Sequence, residues 1–79
     1  MEAAMHYADL LLHIDEPLDE GSAERLTGVL EGLPGVAGAR HDPHREHLFV
    51  VDFDPGEIAP MGVLEAARRA GYHGELVGL

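Results

Sequence analysis

Leu48-Phe49-Val50-Val51-Asp52-Phe53 is the segment that most restricts this chain, because a short run of β-branched and aromatic residues closed by Asp54-Pro55-Gly56 has only one good use, as a strand. A second segment alternates with a period of two. Ala8, Leu10, Leu12 and Ile14 take one face and Tyr7, Asp9, Leu11 and His13 the other, until Asp15-Glu16-Pro17 ends the pattern. Two strongly apolar strands in a chain of 79 residues must share one core. Barrels and dinucleotide folds are excluded by length.

Helical spacing fills the intervals. Asp19-Glu20-Gly21-Ser22 offers capping oxygens, and Leu26, Val29, Leu30 and Leu33 form an i, i+3, i+4, i+7 stripe. This predicts a helix from about Ser22 to Gly32, weakened by Gly28 and Gly32 and stopped by Pro34-Gly35. Val36 to His41 reads as a weak strand, and Asp42-Pro43-His44-Arg45-Glu46 as a polar turn. A second helix is predicted from Ala59 or Pro60 to Ala70, with Met61, Leu64 and Ala67 on its apolar side. Gly71 closes it before a short strand over Glu75 to Val77. The order β-α-β-β-α-β predicts a single α+β domain over residues 1–79, a ferredoxin-like two-layer sandwich. Right-handed crossovers favour an antiparallel sheet of order 4-1-3-2, which places the two most apolar strands in the middle.

Leu33-Pro34-Gly35-Val36 after the first helix, Phe53-Asp54-Pro55 after the third strand and Ala70-Gly71-Tyr72 after the second helix carry a family pattern. From about Tyr7 to Val77 the chain resembles the heavy-metal-associated domain, the fold of small copper chaperones, mercury-binding proteins and the N-terminal modules of metal-pumping ATPases. Members that carry soft metals have Met-x-Cys-x-x-Cys in the first loop. The matching positions are Pro17, Asp19 and Ser22, and the chain contains no cysteine. The resemblance therefore implies the fold without the thiolate site, and places Tyr72 beneath Pro17 and Asp19.

Charge narrows the function classes. Five basic residues against 15 acidic ones give a formal net charge of −10. Arg25, Arg40, Arg45, Arg68 and Arg69 are scattered, so neither nucleic acid nor an anionic membrane is an expected partner. Met1-Glu2-Ala3-Ala4-Met5-His6 has no positively charged leader pattern, and the apolar runs are too short for a bilayer. A soluble cytoplasmic protein is the expectation. No Ser-His-acid grouping, nucleophile elbow or phosphate loop is present in the pattern, so no enzyme activity is expected.

Two places hold metal-ligating residue types. His41, His44 and His47 recur every third residue around the polar turn, with Asp42 and Glu46 between them, an imidazole set suited to zinc or nickel. Asp15, Glu16, Asp19, Glu20 and Ser22 make an oxygen-rich first loop, whose simpler reading is helix capping and a solvated acidic surface. His13 is predicted on the open sheet face, His6 on the helix-packed face, and His73 in a solvent-facing turn. Leu11, Leu48 and Val50 are predicted on the sheet side away from the helices, a patch suited to homodimerisation or another partner. The reading ranked first is a non-enzymatic interaction module without a cofactor, pairing with a second copy or with a basic protein. The alternatives are a zinc or nickel accessory protein using His41, His44, His47, Asp19 and Ser22, and a small-molecule regulatory module.

Overall fold

A computed structural model describes residues 7–77. The elements are β1 (Ala8–Ile14), α1 (Glu20–Glu31), β2 (Val36–His41), β3 (Leu48–Phe53), α2 (Pro60–Arg69) and β4 (Gly74–Val77). The four strands form one antiparallel sheet of order β2-β3-β1-β4. That is the ferredoxin-like order predicted from the sequence, read from the other edge. His6 lies outside the described residues.

Strand alternation decides the two sides of the sheet. Leu10, Leu12 and Ile14 of β1 and Phe49, Val51 and Phe53 of β3 are buried against Leu26 and Leu30 of α1 and Val63, Leu64 and Ala67 of α2. Each such side chain contributes about 1.5–3 kcal/mol when fully buried. β2 adds only Ala39 to the buried set, with Val36 packed partly against it, so its place at the edge follows from its composition. Met61, expected on the inner side of α2, is half exposed. Val63 and Ala66 are buried along with Leu64 and Ala67.

The chain enters α1 earlier than the apolar stripe suggests. Asp19 Oδ1 accepts the Ser22 backbone N–H at 2.7 Å, so the helix starts at Glu20. Leu18 before the cap and Ala23 in the first turn both join the core, which fixes the angle of entry. Two glycines are required by geometry. Gly35 turns with φ +92°, and a Cβ there would meet the Glu57 and Ile58 side chains at 2.9 Å. At Gly74 a Cβ would meet the His13 carbonyl oxygen at 2.7 Å, within the β1–β4 pairing.

Candidate functional site

The topology gathers the β1–α1 loop, the β2–β3 turn and the α2–β4 loop at one end of the sheet, since β1 and β2 run one way and β3 and β4 the other. All five histidines of the described residues, His13, His41, His44, His47 and His73, lie at or near this end. Backbone bonds stitch it together: the Ile14 N–H donates to the His47 carbonyl at 2.8 Å, and the Asp15 N–H to the His73 carbonyl at 2.7 Å.

Convergence at one end does not bring the predicted triplet together. The ring of His41 tilts against Phe49 on the helix side, with centroids 5.1 Å apart, and its Nε2 bonds the Glu46 carbonyl at 2.8 Å. His47 lies on the other side of the sheet, stacked on His13 with centroids 5.4 Å apart. Its Nδ1–H donates to the Ile14 carbonyl at 2.8 Å, which fixes its neutral tautomer. His44 is exposed, its backbone N–H closing a turn on Asp42 Oδ1 at 2.8 Å. Asp19 and Ser22 are brought together, but as a helix cap. Among the described residues no three His, Asp or Glu side chains converge as a metal-ligand group.

The cap has a measurable electrostatic side. Hydrogen bonds from Ser22, the backbone N–H foremost, hold the Asp19 carboxyl below its ordinary value of 3.8. Tyr72 is buried as part of the core, and its hydroxyl accepts from Arg25 Nη2 at 3.3 Å.

Sequence reasoning missed the contact that ties the first loop down. Glu16 Oε1 accepts the His73 backbone N–H at 2.9 Å, and its other oxygen takes the His73 ring Nδ1–H. The residues are 57 positions apart, and nothing local announces the pair. The His73 ring bond lowers Glu16 from 4.5, and the same bond raises His73 from 6.5. The depressed Glu16 supplies stability above about pH 4.5 that is lost as pH falls through its folded value. The raised His73 supplies stability that is complete below pH 6.5 and lost as pH rises through its folded value. The clasp is therefore fully formed between these limits. Glu16→Gln is expected to bring the His73 titration, followed by NMR, down toward 6.5; an unchanged titration would show that the contact is absent in solution.

The sheet face away from the helices carries a pattern of its own. Register places Asp9 opposite Asp52 at one end, Arg40, Val50, Leu11 and Val77 in a row across the middle, and Leu48, His13 and Glu75 across the loop end. The apolar patch is smaller than expected. Leu11 and Val50 are half-buried, but Leu48 is only 8% exposed, shielded by its neighbours within the single chain. His13 Nδ1 is shut off from solvent without a hydrogen-bond partner, 3.7 Å from Asp15 Oδ1. Asp52 shares a hydrogen bond with Asp9, which with burial and repulsion from Asp9 raises its carboxyl above 3.8; Arg40 Nη1, 3.7 Å from Asp52, opposes the rise.

A raised carboxylate binds its proton more tightly in the folded chain, so the stability it gives is present below about pH 3.8 and lost as pH rises through the folded value. At pH 7 the facing pair is a cost. Asp9→Asn, which leaves the Arg40–Asp52 contact in place, is expected to stabilise the fold by about 0.5 kcal/mol at that pH. Urea denaturation at pH 7 and again below pH 4 checks this, the gain shrinking at the lower pH.

These features define a class: the fold is that of the heavy-metal-associated domains, without the cysteine pair that defines their soft-metal site. No family model and no curated protein matches the sequence. Solved structures do. Oxidised MerP from Ralstonia metallidurans CH34 superposes with a TM-score of 0.83 at 15% identity, covering 92% of this chain and 100% of that one. The N-terminal domain of a potential copper-translocating P-type ATPase from Bacillus subtilis, solved in the Cu(I)-loaded state, gives 0.82 at 25% identity over 92% of this chain and 90% of that one. The CopZ metallochaperone gives 0.78 at 16% identity, over 86% of this chain and 100% of that one. At these identities the likeness is one of fold. It agrees with the resemblance read from Leu33-Pro34-Gly35-Val36 and Ala70-Gly71-Tyr72.

Proposed function

We propose that this chain is a non-enzymatic interaction module, built on a metallochaperone-type fold and using the open face of its sheet for recognition. The observation that carries this reading is the Asp19–Ser22 cap. At the two positions where relatives of this fold place thiolates, the Asp19 side chain and the Ser22 backbone N–H are engaged with each other in starting α1, with an Oδ1 to N distance of 2.7 Å. Recognition passes to the sheet face, where Leu11, Val50 and Val77 supply apolar contact on adjacent strands and charged groups frame them. The net charge of −10 sets the exclusion, since a partner must not present a strongly anionic surface.

No helix among the described residues is long and apolar enough to cross a membrane. The proposed setting is the cytoplasm, in keeping with a cysteine-free acidic chain.

Native mass spectrometry of the tag-free protein, alone and with zinc, nickel, copper and calcium, tests the reading. A chain that takes up no stoichiometric metal supports it. One tightly held zinc or nickel ion per chain, lost on His41→Ala or His44→Ala, would overturn it in favour of a metal accessory role.

A further inference from the structure

The open face carries charge of both signs. Its charged groups are Asp9, Asp15, Asp52 and Glu75 on one side of the balance and Arg40, His13 and His47 on the other. With the imidazoles protonated these come close to balance, so most of the excess negative charge lies elsewhere on the chain. A basic partner is drawn to that other surface. The sheet face is better matched to itself.

The distribution along the strands says how. Asp9 and Asp52 sit at one end, and the His13–His47 stack lies four residues further along β1, about 13 Å away. Between them runs the apolar row of Val50, Leu11 and Val77, with Arg40 at its β2 end. Two copies can lay these faces together about a two-fold axis along the strands or across them. An axis along the strands places Asp9 and Asp52 of one copy on Asp52 and Asp9 of the other, gathering four carboxylates. An axis across the strands places each carboxylate pair on the partner's imidazole pair, and the apolar row on itself.

We propose that a second copy of this chain is the occupant of the sheet face, docked about a two-fold axis running across the strands so that the carboxylate pair of each copy meets the histidine pair of the other. This rests on the sheet-face reading above. Imidazolium facing carboxylate is favourable, and so is a neutral imidazole nitrogen facing a carboxylic acid, so the contact survives movement of one proton between the pairs. Asp15 and Glu75 flank His13 on its own chain and temper its charge, and Arg40 does the same for Asp52. The two Arg40 side chains meet at the rim, where each is 67% exposed and turned to its own Asp52. A face about 14 Å between its outer strands is smaller than a standard interface, so association is weak and concentration-dependent. It strengthens as pH falls from 8 toward 6, the range in which histidine ordinarily gains charge, and weakens again once the carboxylates take up protons.

Sedimentation velocity up to millimolar protein, at pH 6 and pH 8, gives the first readout, with a larger dimer fraction expected at pH 6. Asp9→Asn with Asp52→Asn is expected to weaken the dimer about tenfold, since the two-fold repeats each contact, while leaving the monomer folded. The absence of native cysteine makes orientation directly readable. Arg40→Cys and Val77→Cys, on opposite edge strands, are each expected to form a self-linked dimer under mild oxidation, lost when Val50→Asp is added. Cross-linking only in a mixture of the two variants would show the other axis, overturning this inference while keeping the sheet-face reading. Self-linking by one edge variant alone, insensitive to Val50→Asp, would show edge-to-edge pairing and overturn both. A chain that stays monomeric at every pH overturns the dimer, and leaves the module to be judged by its metal titration.

Discussion

Asp19→Cys combined with Ser22→Cys is expected to turn a chain without cysteine into one that holds one Cu(I) per molecule. The two positions already lie within hydrogen-bond reach at the start of α1. Helix N–H groups there stabilise thiolates, and Arg25, whose charge acts on Asp19, would act on a thiolate in its place. Paired thiolates suit Cu(I) far better than carboxylate and hydroxyl oxygen do. Loss of the Asp19 cap costs about 1 kcal/mol, which a chain with this core tolerates. Competition against a Cu(I)-specific chromophoric chelator measures the gain. A folded double variant that takes no Cu(I) from the chelator would show that the loop has departed from the metal-holding shape of its structural relatives, and not merely exchanged two side chains.

The second large effect lies in the core. Phe49 is fully buried, the largest such side chain, and belongs to the core shared by the sheet and the helices, on the strand that pairs with β1 and β2. Phe49→Ala is expected to cost about 3–5 kcal/mol, a large part of the stability of a domain this small. Thermal unfolding at pH 7 should show a transition lowered by tens of degrees or no cooperative transition at all. Val50→Asp, one residue along and on the other face, should leave the transition much closer to wild type. The contrast between neighbours tests the assignment of the two faces more sharply than either variant does alone. Equal losses would mean that Val50 is as deeply packed as Phe49.

Much of the fold was legible because breakers and periodicity agree. Pro34-Gly35, Asp54-Pro55-Gly56 and Gly71 mark ends that the structure keeps, and the alternation in β1 and β3 correctly separates Leu10, Leu12 and Ile14 from Asp9, Leu11 and His13. The pattern puts the start of α1 at Ser22 and the structure at Glu20, since Glu20-Gly21 looks like loop and only the Asp19 cap, bound to the third residue ahead, makes it helix. Residue type alone puts Met61 in the interior, though the phase of α2 is set by Val63, Leu64 and Ala67. The histidines show the limit more clearly. A spacing of three suggested that His41, His44 and His47 act together, but His41 and His47 belong to strands and turn that project to opposite sides of the sheet. The partner of His47 is His13, and that of His73 is Glu16. Both pairings depend on strand register and loop closure across tens of residues, which local spacing does not encode.

The helix entry at Asp19 carries one more implication. Where sulfur guards the same doorway, oxidants and reductants decide its condition, because a dithiol and a disulfide have different shapes and charges. Here the doorway answers to acidity alone. The Asp19 carboxylate keeps its grip on the Ser22 amide at any redox poise, and lets go only as pH falls through a value already pushed below 3.8. A cell under oxidative stress would thus find this chain unchanged at the very position where thiol-bearing counterparts are most exposed to damage.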